Sequence, residues 1–193
     1  DPETRDSVGE TWYRAHFGAP ETYTNADPQL GHMKTGGMSG LLRADWFAGE
    51  NMFDEAIYHA LKAGNAPKAA QLVAGRRFEF YELGGTVVLE GWLERFPDTF
   101  VDGHPELLLA KAQLFFYQSR FHLLPAIVDR AESLLDDSTA AEPLRGEIDF
   151  FRGTFHLALG DGHLSLKSIE AALERLPATN HTVRGMALIM LGL

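Results

Sequence analysis

The feature that most constrains this chain is an internal repeat. "LRGEIDFF" begins at Leu144 and "VRGMALIM" at Val183, so an Arg-Gly pair recurs at an interval of 39 residues, at Arg145–Gly146 and Arg184–Gly185. Phe151 and His156 step back by the same interval to Ala112 and Tyr117, inside "PELLLAKAQLFFYQS", and Ala126 steps forward to Ser165. An interval of this length holds one pair of helices. A lone pair cannot bury its apolar face, so copies must stack. The small residues Ala112, Ala126, Gly146, Gly153 and Ser165 are then the places where helices approach closely. The fold class that follows is all-α: antiparallel helical hairpins stacked as a tetratricopeptide-like right-handed superhelix.

Helical periodicity agrees. Phe53, Ala56, Ile57, Ala60 and Leu61 form the apolar stripe of an amphipathic helix, with Asn51 as its expected cap and Gly64 as its close. Asn65 caps the next helix, with Pro67 in the first turn and Ala69, Ala70, Leu72 and Val73 on the inside. Further helices are expected over 86–96, 105–118, 122–135, 142–159, 163–175 and 181–193, and period-two strand patterns are absent. Residues 1–37, rich in Gly, Pro, Thr and Asp, read as a partly irregular linker; 38–193 read as the repeat domain. The chain begins at Asp1 and stops inside the apolar pattern "TVRGMALIMLGL", which reads as a piece of a longer protein, cut at its C-terminal end.

Composition narrows the function. Against 17 Lys and Arg stand 27 Asp and Glu, a net charge of -10. Such a surface repels phosphate backbones and anionic lipid, so neither direct nucleic-acid contact nor membrane contact is expected of this segment. The absence of cysteine removes disulfides, thiolate zinc sites and cysteine nucleophiles. No GxxxxGK[ST], GxSxG or HExxH motif occurs, and no His of the eight stands three or four residues from another. No catalytic or metal-binding residue is therefore assigned. The carboxylate pairs Asp54–Glu55, Asp136–Asp137 and Glu142–Glu147 read as helix caps and solvated surface.

The dense aromatic runs "FEFYE", "LFFYQ" and "DFFRGTFH" read mostly as core. Leu144, Ile148, Phe151, Phe155 and Leu159 make one stripe, and Phe150 falls off it, toward the adjacent hairpin. Arg145, Asp149, Arg152 and His156 then occupy a neighbouring polar face; one repeat earlier, Gln113 and Tyr117 take the places of Arg152 and His156. If first helices line the concave side, these six share a groove suited to a polar small molecule or a peptide. The competing reading is an ordinary solvated face.

"ADWFAGENMFDEAIYHALKAGNAPKAAQLV" and "GGTVVLEGWLERFPDTFVDGHPELLLAKAQLFFYQSRFHLLPAIVDRAESLL" together resemble the helical-repeat region of MalT-like, LuxR-type ATP-dependent transcriptional regulators. "TWYRAHF" resembles the end of the winged-helix segment that precedes that region, whereas "HMKTGGMSG" departs from the family's charged helix. The resemblance implies a cytoplasmic parent protein with an ATP-binding domain, a winged helix, a superhelical sensor and a C-terminal helix-turn-helix. It implies that this segment binds a small-molecule inducer or a regulatory protein and assists self-association. It implies no cofactor in this chain, with ATP belonging to the parent. The alternative is a free-standing scaffold that holds a peptide or protein partner.

Overall fold

The structure, a computed structural model, describes residues 36–78 and 85–192. The expected linker (all but Gly36 and Gly37) and most of "FEFYE" lie outside the described residues. Among the described residues there are ten α-helices and no strand. They are α1 (Gly36–Gly49), α2 (Phe53–Lys62), α3 (Ala66–Arg76), α4 (Thr86–Leu93), α5 (Asp98–Val101), α6 (Pro105–Tyr117), α7 (Leu124–Glu132), α8 (Glu142–Ala158), α9 (Gly162–Arg175) and α10 (His181–Leu191). Short 3-10 turns at Phe121–Leu123 and Thr139–Ala141 lead into α7 and α8.

The helices start and stop where local chemistry directs. Asn65 Oδ1 accepts from the Lys68 N–H at 3.0 Å and caps α3, with a proline in the first turn. Asp161 and Asn180 cap α9 and α10 in the same way. Gly64, at φ 74°, closes α2 in the left-handed region. Asn51 does not cap α2 as expected. It sits at φ 60°, in the left-handed reversal between α1 and α2, and the N-cap position falls to Met52, which makes no side-chain cap bond. Asparagine tolerates that backbone better than most residues, so here it serves the turn; Asp54 and Glu55 supply negative charge to the first helical turn instead.

Consecutive helices pack as pairs: α1 on α2, α2 on α3, α6 with α7, α8 with α9. α3 and α4 both pack on α6, and α8 lies against α6, α7, α9 and α10. One hydrophobic core runs through them, from Ala44 and Ile57 through Trp92 and Leu107–Ala110 to Ile148, Ile169 and Ala187. Phe150 is buried and meets Phe116 of α6, so it does pack on the adjacent hairpin. No helix of the described residues is long and apolar enough to cross a membrane.

Two of the helix pairs, α6–α7 and α8–α9, share a burial pattern, but not at the expected interval of 39 residues. Leu107–Ala110 and Ile148–Phe151 are buried, Lys111 and Arg152 are half-buried, and Ala112 and Gln113 match buried Gly153 and Thr154, an interval of 41 residues. The second helices obey the same interval, with Leu124, Val128 and Ala131 matching Ser165, Ile169 and Ala172. At the interval of 39, from α8 to α10, Ile148 matches buried Ala187 but Phe150 falls on exposed Ile189. Between the first two units the connection after Glu132 sets the spacing, and a loop is free to differ by two residues without disturbing either pair. One sequence expectation falls with the register: Ala126 is exposed, and its place opposite Ser165 is taken by Leu124. Another falls at the helix end: Leu159, past the end of α8, is 66% exposed.

Close approach is real at α8. A Cβ on Gly146 would lie 2.9 Å from Leu176 Cγ and 3.0 Å from the Leu176 backbone nitrogen; on Gly153 it would lie 2.6 Å from Ile169 Cδ1. Helix α9 and the residue that follows it thus sit on the bare backbone of α8. Gly75 of α3 has open space where its Cβ would stand. Gly146→Ala should therefore lower stability by about 1–2 kcal/mol, because overpacking outweighs the helix-propensity gain. Gly75→Ala should raise it by about 0.5–1 kcal/mol. Urea unfolding of the two variants side by side checks both signs.

Candidate functional site

The six residues expected to line a groove do not share one face. α8, at 17 residues, presents four of them. Arg145 Nη2 donates to the Asp136 carbonyl oxygen at 2.7 Å, and Nη1 faces Glu142 at 3.4 Å. Asp149, only 9% exposed, accepts from Arg175 Nη1 of α9. Arg152 reaches the other way, to α7: Nη2 donates to Glu132 Oε2 at 2.6 Å and to Asp129 Oδ1 at 2.7 Å. The expected polar face is thus a seam of ion pairs holding α8 to its neighbours on both sides. Gln113 is buried at 2% exposure, with Nε2 donating to the Arg77 carbonyl oxygen at 3.1 Å. Its place in α8 is that of Thr154 rather than Arg152, which is why it points inward. Tyr117 is half-buried and its hydroxyl faces Met186 Sδ at 3.8 Å.

Two of the six do meet. Arg152 and His156 line a hollow of about 180 Å³ between α7 and α8, beside Pro125, Asp129 and Phe155. The Arg152 guanidinium is shared by two carboxylates, Asp129 and Glu132, which leaves an excess of negative charge. The hollow therefore offers hydrogen bonds, an imidazole, a carboxylate and aromatic surface rather than a free cation. A second cavity of about 350 Å³ is apolar, lined by Phe116, Phe121 and Leu157 with Met186, Ile189 and Met190 of α10. Among the described residues no group of three or more His, Asp or Glu is placed to hold a metal ion.

Sequence reasoning missed the most buried polar cluster. Arg77, directly after α3, and Glu147, on α8, are each 4% exposed. Arg77 Nη2 donates to both carboxylate oxygens, at 2.6 and 2.7 Å, and Nη1 to the Glu106 carbonyl oxygen of α6 at 3.1 Å. Asn180, the cap of α10, adds a longer contact from Nδ2 to Glu147 Oε1 at 3.4 Å. The guanidinium lies 4.7 Å from the Phe78 ring centroid. Arg77 Nε and Gln113 Oε1 are buried without a hydrogen-bond partner. As half of a carboxylate pair Glu147 reads as solvated surface, yet it stands three residues after Leu144 and four before Phe151, on the apolar stripe. A carboxylate there requires a buried cation, and that was the available signal.

Electrostatics follow the geometry. Burial pushes the Glu147 carboxyl up, against the pull of Arg77. Burial likewise raises Asp149, opposed by Arg175. The Arg152 hydrogen bond holds the Glu132 carboxyl below the ordinary carboxylate range, against a smaller desolvation. A carboxyl depressed in the folded state contributes stability above its unfolded pKa and loses it as pH falls through the folded value. Arg152→Gln should therefore move the Glu132 titration midpoint upward in carboxyl-detected NMR. The stability gap between wild type and variant should shrink as pH drops below the ordinary carboxylate range; an unmoved midpoint would contradict the pairing.

No family model matches the chain, and no solved structure matches it. Among curated proteins, the HTH-type transcriptional regulator MalT of Yersinia enterocolitica is 29% identical over 140 residues, which covers 72% of this chain and 16% of that protein. The MalT of Cronobacter sakazakii is 28% identical over 142 residues, 74% of this chain and 16% of the relative. A MalT of Klebsiella pneumoniae is 26% identical over the same length. The match thus spans 16% of each regulator's length. The chain is distantly similar to a segment of the MalT transcriptional regulators.

Proposed function

We propose that this chain is the effector-sensing and protein-interaction segment of a cytoplasmic, ATP-dependent transcriptional regulator. The observation that carries the reading is the similarity to MalT over about three quarters of the chain, in a chain built of consecutive paired helices. On this reading the pairs stack as a tetratricopeptide-like right-handed superhelix, and nucleotide and DNA are handled by other parts of the parent protein. The inducer's seat is the hollow at Arg152 and His156, where a polar ligand would touch α7 and α8 at once. An effector that binds one arrangement of α7 and α8 better than another shifts the population toward it, and with it the self-association of the parent.

A second reading, a scaffold for a peptide or protein partner, draws on the apolar cavity beside α10, where Ile189 is 76% exposed. Apolar anchors of a partner helix would fit there.

A thermal-shift screen of the chain against sugars, amino acids, nucleotides and aromatic acids separates the two. An effector present at 100 times its Kd should add about 2.7 kcal/mol, or roughly 5–10 °C in Tm for a domain of this size. His156→Ala and Arg152→Ala should each weaken that ligand about tenfold or more. Silence from every class sinks the small-molecule reading and leaves a protein partner, to be sought by pull-down.

A further inference from the structure

The described helices divide at α6. On one side α1 packs on α2 and α2 on α3, while Asp54 of α2 accepts from Trp92 Nε1 of α4 at 3.2 Å and from Arg95. On the other side α7, α8, α9 and α10 pack on one another in turn. Helices α3 and α4 meet this second group through α6. Arg77 crosses the boundary, held to α6 through Glu106 and Gln113 and to α8 through Glu147.

We propose that the Arg77–Glu147 pair is a releasable latch between two cooperative units, α1–α4 and α6–α10, and that when it opens the first unit undocks while the second stays folded. The burial is what makes the contact releasable. Taking both charges out of water costs several kcal/mol, repaid by their attraction only when every polar atom in the cluster is satisfied. Here two atoms, Arg77 Nε and Gln113 Oε1, are not. Apolar side chains at the same two places would hold the units together without that opposing cost. The chain instead carries, at the boundary, a contact whose making and breaking lie close to balance.

The latch is also wired to the rest of α8. Glu147 lies on the same helix as Arg152 and His156. From Glu147 to His156 the helix rises by about 14 Å, with Asp149 and Arg152 fixed to α9 and α7 in between. Asn180 brings the start of α10 to the same carboxylate. A shift of α8 between its neighbours therefore moves Glu147 against Arg77. The inference concerns the chain alone and stands whether or not the hollow binds an effector.

Amide hydrogen exchange of the full 193-residue chain, with no ligand added, tests it. In wild type, amides of α2 and α3 should exchange about tenfold or more faster than the buried amides of α8 and α9, with a shallower urea dependence. Glu147→Gln should widen that gap by about another tenfold. Arg77→Met combined with Glu147→Leu should close it, because apolar contact replaces the latch. Should Glu147→Gln fail to fold, the wild type and the double variant still decide. A single exchange rate and urea dependence for both units in wild type would overturn the proposal, as would a gap left unchanged by the double variant.

Discussion

A buried guanidinium and a buried carboxylate set the terms for the rest of this structure. Arg77 and Glu147 stand 70 positions apart in sequence, and each is all but hidden from water. Neither could be placed there without the other, since an unpaired charge in that position would be prohibitive. Their pairing fixes where the end of α3 sits over α6 and how α8 is turned beneath it. It also draws in Glu106, Gln113 and Asn180, so three further points of the chain are positioned by one contact.

Around that contact the helices pack by ordinary means, and much of it could be read from sequence. The stripe from Phe53 to Ala60, the Asn65 cap, the close at Gly64 and the glycines of α8 all behave as their chemistry predicts. These are local signals, in which a residue's neighbours three and four places away decide its role. The register between units was not legible in the same way. It depends on the connection between α7 and α8, where neither pair constrains the number of residues. With a two-residue difference there, Gln113 corresponds to buried Thr154 rather than to Arg152, and Ala126 to exposed Lys167 rather than to Ser165.

The candidate site shows the same division. That α8 carries a polar face was visible from residues 145–156, but not that the partners of that face come from α7 and α9. Charges on a helix read as available until their long-range partners are known. Once those are in place, Arg152 and His156 remain as the pair that share a hollow. Glu147 was the reverse case, a charge read as solvated although its spacing put it among apolar neighbours. The polar half of the functional reading therefore rests on fewer residues than the sequence offered, and the structural half rests on one that it hid.

The account depends on Arg77 and Glu147 being energetically coupled, and a double-mutant cycle measures that directly. Of the tryptophans within the described residues, Trp46 and Trp92 both lie in the α1–α4 unit, so urea unfolding followed by their fluorescence reports on it. Arg77→Met and Glu147→Leu should each destabilise that unit by about 3–5 kcal/mol, because each strands a buried charge. Together they should not add but should bring the unit above wild type, by about 1–4 kcal/mol. Losses that simply add in the double variant would mean that the two side chains do not depend on each other, and would contradict the account.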